Sequence, residues 1–406
     1  MSKPLEGYKV VDLTTFVAAP VCCRLLADLG AEVIKIEHPA GDGWREFGIN
    51  YNPRFNEDEN PVFDIYNTGK KCISLNLKNP EAKEVMWKLL EEADVFVTNT
   101  RPDALKRLGF SYEDVKERCP RLVYAIVLGF GEECPDAAKP AFDTSAFWAR
   151  SGFLRDMSPM TENYEPISPP SSVGDTVTGL NLLSQICAAL IGREKSGKGD
   201  YVRAGLFHTG IFACGTMQII SQKPWGNQYP RTRVQVGPPG GCYKTLDDEW
   251  VFIANGQLSV ALPKMFNMIG RAELIQADGF LNSAYRNAHR EELYYIFKEA
   301  YATKTLAEWV VLGKEYDLPL VPMTHFADLS DDEQAWANGY VEHMQCPNGE
   351  TVVMPNSPIR MDSVGELKSE PAPKLGTHTA AVLADLGYTP EQIAKMEENG
   401  AIRTRK

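Results

Sequence analysis

The sequence predicts an α/β protein, in which a mostly parallel sheet wrapped by helices is accompanied by a smaller α+β unit. Through the first half of the chain, short β-branched runs alternate with stretches of helical spacing, the order expected of strands joined by helical crossovers. Beyond a Pro/Gly cluster at 223–241 the pattern changes to a pair of strands followed by a run of helices. At 406 residues the chain also exceeds what one hydrophobic core usually serves, so two domains are expected.

Taken in order, YKVVDL (8–13), EVIKIE (32–37), CISLNL (72–77), VFVTN (95–99) and LVYAIVL (122–128) read as strands. Between them lie helices over 19–29 and 79–93 and a short one opening at Pro102. Right-handed crossovers would assemble these strands into a mostly parallel sheet. The stretch PISPPSSVGD (166–175) reads as extended surface chain until a helix begins at Asp175. In the second unit GCYKTL and EWVFIAN read as strands, with helices around 258–270, 291–301 and 305–314. After DDEQAWANGYV (331–341) come short strands such as TVVMP, and then LGTHTAAVLADLGY and a charged tail.

Composition excludes several classes. With 44% hydrophobic and 24% charged residues the chain is globular in make-up. No apolar run approaches the ~20 residues of a membrane span, and the N-terminal stretch has no signal-peptide core, so a cytoplasmic protein is expected. A net charge of −12 argues against nucleic acid as a partner, which is held through clustered Lys and Arg. The nine cysteines are scattered without zinc-ligand or disulfide spacing, so no metal site is expected.

The first strand, turn, helix and second strand have the outline of a dinucleotide-binding unit. Such a unit needs glycines in the turn, so that backbone can approach a pyrophosphate. The turn here is TTFVAAP, which holds none, and NAD or FAD binding is not expected.

Asp175 heads the apolar stretch SVGDTVTGLNLLSQICAAL, whose Val177, Leu180, Leu182, Leu183, Ile186 and Leu190 recur near helical spacing. Read alone, it is a carboxylate capping a buried helix, where it would meet free backbone N–H groups. The alternative is a nucleophile. His208, in the apolar segment LFHTGIFACG, reads as a packed core histidine.

VAAP (17–20), VIKIE (33–37), NTGKKCISLNLKNPEAKE (67–84), TNTRPDALKRLGF (98–110), GD (174–175) with TG (178–179), and LGTHT (375–379) occur together in this order. In this the chain resembles the class III CoA-transferases, which include formyl-CoA transferases, carnitine CoA-transferases and the transferases of anaerobic amino-acid fermentation. PAFDTSAFWARSG (140–152) and DEQAWANGY (332–340) look most like the branch acting on (R)-2-hydroxy acids, such as phenyllactate or 2-hydroxyisocaproate.

The resemblance implies a Rossmann-like large domain made of 1–225 and 335–406, a small domain of 226–334, and a homodimer of two interlocked, ring-like chains. It places the nucleophile at Asp175, which would attack a thioester carbonyl and pass through an acyl anhydride and an aspartyl-CoA thioester. Coenzyme A thioester and a carboxylic acid are then substrates, and no bound cofactor is needed. CoA contacts fall on Val17, Ala18, Leu75, Lys78, Asn99, Thr100, Arg107 and Lys139. Asp143 matches a second carboxylate, and Gly240 and Gly241 a glycine loop that would meet the oxyanion; Arg45, in the loop GDGWRE, is read from its position as a candidate partner for the acceptor carboxylate. Two other readings remain. An α-methylacyl-CoA racemase shares the fold but needs a general base at the position of Phe142, where none can act. A non-catalytic acyl-CoA-binding protein would have no need of a carboxylate at 175.

Overall fold

The computed structural model describes residues 2–51, 56, 59–161, 164–226 and 228–405. It divides into two compact units, one of Met1–Gly152, Pro169–Gln218 and Asp332–Lys406 and the other of Phe153–Ser168 and Ile219–Asp331.

The first unit is built on seven strands: β1 (Lys9–Leu13), β2 (Glu32–Glu37), β3 (Lys71–Leu75), β4 (Val95–Thr98), β5 (Val123–Leu128), β6 (Tyr201–Gly205) and β12 (Ile402–Arg403). Their spatial order is β12-β3-β2-β1-β4-β5-β6. Six run parallel, and β12 closes the edge antiparallel, with Ile402 opposite Leu75. Strands β4 and β5 are buried along their whole length, as a sheet covered on both faces requires. The covering helices of this unit include α1 (Ala18–Asp28), α2 (Trp44–Tyr51), α3 (Pro61–Asn67), α4 (Pro80–Glu92), α5 (Pro102–Leu108) and α6 (Tyr112–Arg118). Helix α4 follows from its sequence: Asn79 accepts from the Glu81 N–H, Pro80 opens the first turn, and Ala82, Val85, Met86, Leu89 and Leu90 form one buried stripe.

A short helix, α7 (Phe153–Asp156), lies in the second unit, whereas α8 (Val173–Ser196) and α9 (Leu206–Ala213) belong to the first. Helix α8 packs against α1, and Gly179 makes this possible. A Cβ there would lie 2.6 Å from the Ala18 carbonyl oxygen. The neighbouring Thr178 is fully buried and donates its hydroxyl back to the Gly174 carbonyl at 2.8 Å.

In the second unit β7 (Gly241–Lys244), β8 (Trp250–Ile253) and β9 (Leu320–Pro322) form an antiparallel sheet in that order. Helices Leu258–Met268, Arg290–Tyr301 and Leu306–Glu315 close its core around Tyr243, Phe266, Phe297 and Trp309. Segment 153–168, placed in the large domain by sequence, groups here because Met160 bridges to Thr232 and its N–H donates to the Arg231 carbonyl at 2.7 Å. A hairpin of β10 (Val341–Gln345) and β11 (Thr351–Pro355) returns the chain to the first unit. Among the described residues no helix is long and apolar enough to cross a membrane.

Candidate active site

The strand order 3-2-1-4-5-6 leaves a crevice where connections from β1 and β4 depart in opposite directions, the place where open α/β sheets bind ligands. The first unit has a cavity of about 850 Å³ here, lined from the carboxyl ends of β1 (Thr15, Phe16, Ala18), β4 (Asn99, Thr100, Arg101) and β5 (Leu128, Gly129). Asn99 ties two of these loops together. Its side chain accepts from the Thr15 N–H at 3.0 Å and donates to the Thr15 carbonyl at 2.7 Å.

Asp175 and Asp143 both line the cavity. Helix α8 starts two residues earlier than the sequence implied, so Asp175 stands inside its first turn and not at the cap. The cap position is Ser172, at φ +71, and its side chain makes no capping bond. The turn leaves the N–H groups of Ser172, Gly174 and Asp175 facing the Asp143 carboxylate, which reaches full hydrogen-bond geometry with none of them among the described residues. Asp143 itself opens a π-helical turn, Asp143–Ala149. Gly174 is required by this approach: a Cβ there would lie 2.2 Å from Asp143 Oδ1 and 2.2 Å from Phe147 Cγ.

Burial, and then the charge of Asp143, push the Asp175 carboxyl up to about 7. Burial raises Asp143 as well, opposed by the backbone amides before it. Two carboxyls whose charges oppose each other in one cavity make a proton-sensitive pair whose titration belongs to both. The Tyr66 hydroxyl of α3 faces the side chains of Ser172 and Thr176 and feels both carboxylates, and burial raises its pKa.

Cations stand at the same cavity: Arg101, Arg107 and Lys139. Lys139 is paired with Asp136 at 2.5 Å. An aromatic wall of Phe16, Trp44, Phe47 and Phe142 lines the cavity as well. Cations, aromatic rings and the two carboxyls of Asp143 and Asp175 thus line one cavity.

Residues 5–379 match CoA-transferase family III. The chain belongs to that family. The transferase is 40% identical over 400 residues to an (R)-2-hydroxy-4-methylpentanoate CoA-transferase of Clostridioides difficile, covering 98% of this chain and 99% of that protein. It is 34% identical over 407 residues to a cinnamoyl-CoA:phenyllactate CoA-transferase of Clostridium sporogenes, covering 99% and 98% respectively. Among solved structures, a CAIB/BAIF family protein of Brucella suis superposes with a TM-score of 0.78 at 28% identity, covering 95% of this chain and 100% of that one.

Of the positions singled out in the sequence, the cavity brings together Asp175, Asp143, Ala18, Asn99, Thr100, Arg107 and Lys139. Val17 lies fully buried at the cap of α1, just behind this lining. Others stand elsewhere. Arg45 is corrected: it is buried, donates to both oxygens of Glu37 at 2.9 and 2.7 Å and to the Pro373 carbonyl at 2.9 Å, and so is committed to the fold. Leu75 is a core residue of β3, and Lys78 is exposed outside the cavity lining. Gly240 and Gly241 lie in the second unit, where a Cβ on Gly240 would meet Asn255 and Gly241 adopts φ +114. His208 is exposed on α9, contrary to the core position read from its neighbours.

Sequence reasoning missed Arg101, Tyr66 and the aromatic wall. Arg101 had a signal, since it precedes Pro102 in the same motif as Asn99. Phe16, Trp44 and Tyr66 had none, because a loop after β1 and two separate helices, α2 and α3, bring them together.

Proposed function

We propose that the transferase moves CoA from an acyl-CoA or 2-enoyl-CoA to an (R)-2-hydroxy acid with an apolar side chain, through covalent intermediates on Asp175. Carrying this is one observation: Asp175 lines a cavity that also holds Arg101, Arg107 and Lys139 and the rings of Phe16, Trp44, Phe47 and Phe142. An ionised Asp175 oxygen attacks the thioester carbonyl, the C–S bond breaks, and CoA leaves as thiolate, giving an acyl-aspartyl anhydride. The thiolate attacks the aspartyl carbonyl, forming an aspartyl-CoA thioester and releasing the donor as its carboxylate. The acceptor carboxylate then attacks that thioester, giving a second anhydride, and the freed thiolate takes up the acceptor acyl group and restores Asp175.

Arg107, Arg101 and Lys139 fit the phosphates of CoA, which this acidic chain must meet locally. For Gly240 and Gly241 the family resemblance supplies the role of backbone donors to the tetrahedral oxyanions. The relatives named for 4-methyl-2-hydroxypentanoate and phenyllactate support the acceptor class. Racemisation is not favoured, since Phe142 carries no group to take a proton. One assay tests substrate and contacts together. Phenyllactate and 4-methyl-2-hydroxypentanoate are expected to exceed oxalate in kcat/KM by at least about tenfold, because burying a second unpaired carboxylate costs several kcal/mol. Arg107→Ala is expected to raise KM for the acyl-CoA and leave that for the acid. Preference for oxalate would overturn the acceptor class, and equal effects on both KM values the role of Arg107.

We also infer a homodimer of interlocked chains. One face of α8 exposes Val173, Val177, Leu180 and Ile191, and α9 exposes Ile211 and Phe212, apolar side chains that a second chain would cover. Threaded chains cannot part while folded, so dissociation and unfolding are expected to coincide at every protein concentration. A stable folded monomer at high dilution would remove the inference.

A further inference from the structure

The aromatic wall is held by charges that lie behind it. Phe16 sits at φ +62, a left-handed backbone that non-glycine residues rarely adopt. Its N–H donates to Asp42 Oδ1 at 3.1 Å, and the same oxygen accepts from the Trp44 N–H at 3.0 Å. The other oxygen of Asp42 pairs with Lys35 Nζ at 3.0 Å, both side chains being shut away from solvent. Lys35 also donates to the Thr14 carbonyl at 2.8 Å. One buried ion pair thus grips the chain at Thr14 and at Phe16 and sets Trp44 beside it. The Phe16 ring meets Trp44 edge-on at 6.2 Å and Phe142 at 5.7 Å between centroids. Phe142 is clamped separately: Ser145 Oγ accepts from its N–H at 3.0 Å and donates to its carbonyl at 3.1 Å.

Despite this fixing, the two rings are bare on the cavity side, Phe16 being 37% and Phe142 56% exposed, whereas Trp44 behind them is 5% exposed. A ring whose backbone is locked and whose face is open to a cavity is a pre-set surface for an apolar ligand group. We propose that Phe16 and Phe142 determine acid specificity, their rings contacting the side chain of the 2-hydroxy acid and selecting an aromatic or branched apolar group over a methyl. The proposal rests on the acceptor class proposed above.

The test compares kcat/KM for phenyllactate and 4-methyl-2-hydroxypentanoate with that for lactate, acetyl-CoA being the donor, in the wild type, Phe16→Gly and Phe142→Ala. Glycine adopts φ +62 freely, so Phe16→Gly removes the ring without straining the loop. Phe142 is exposed enough for alanine to leave the fold intact. Each variant is expected to lower the ratio of bulky acid to lactate at least about tenfold, the scale on which apolar pockets discriminate, with KM for acetyl-CoA changed less than about twofold. A wild type that transfers CoA to neither bulky acid overturns the acceptor class and this proposal with it. A wild type that accepts them, with ratios unchanged in both variants or with lactate lost in step, overturns the assignment of Phe16 and Phe142 alone.

Discussion

Asp175→Asn is expected to lower CoA transfer by at least about 10³-fold, the scale on which loss of a nucleophile acts, while making the protein more stable. Both effects come from the same burial. With its pKa raised to about 7 from 3.8, folded Asp175 holds a proton that the unfolded chain has released, so its contribution to stability falls as pH rises from about 4 to 7. Above about 7 the full cost of the buried charge stands, about 1.4 kcal/mol for each tenfold weakening of the acid, before screening by the open cavity reduces it. The asparagine variant is therefore expected to gain melting temperature over the wild type at pH 8 and little at pH 4. In the wild type the rate should climb through a midpoint near 7, as the carboxylate forms. Asp143→Asn removes the neighbouring charge and should move that midpoint to lower pH. Hydroxylamine added with acyl-CoA should leave a hydroxamate on the Asp175 peptide. Persistent transfer by Asp175→Asn, or an unlabelled peptide, would end the covalent mechanism.

Gly174→Ala should be destabilised and nearly inactive, although helix propensity alone points the other way. Inside a helix alanine is favoured over glycine by about 1 kcal/mol. Here the added Cβ falls 2.2 Å from Asp143 Oδ1 and 2.2 Å from a Phe147 ring carbon, far inside contact distance. Phe147 is buried, so relief requires moving the π-helical turn that carries Asp143. Overpacking of this kind costs about 1–3 kcal/mol, which outweighs the propensity gain. Gly192, in the same helix with nothing within 4 Å of its Cβ position, is the control. Gly192→Ala should be neutral or slightly stabilised, with full activity. Thermal unfolding of the two variants side by side decides the matter, and equal behaviour would show that position 174 needs no glycine.

The legible parts of the chain were those whose signals are local. Strands β1 to β5 and helix α4 stand where their apolar runs and cap residues place them, because burial on both faces demands unbroken β-branched segments. β6 and β12 were not legible: Tyr201–Gly205 carries Arg203 exposed in its middle, and Ile402–Arg403 is too short for any pattern. Asp175 and Asp143, both singled out in the sequence, come to line one cavity. The misplacement of Arg45 has a physical cause, since sequence cannot tell a cation offered to a ligand from one neutralised by Glu37 at the end of the preceding strand, β2. Phe16 illustrates the opposite failure. Its left-handed backbone depends on a carboxylate at 42, and no local propensity would propose it.

The closing of the sheet by β12 sets the order in which the protein can be finished. During synthesis β1 to β5 emerge early, and β3 then stands at the rim of a growing sheet with a row of backbone groups unmatched, an invitation to foreign strands. Its cover is Ile402–Arg403, which the ribosome delivers only after the whole of segment 219–331 has been made. The large unit therefore cannot complete itself as it is born. It must wait with its rim open while the inserted unit, a contiguous stretch apart from 153–168, is free to collapse first.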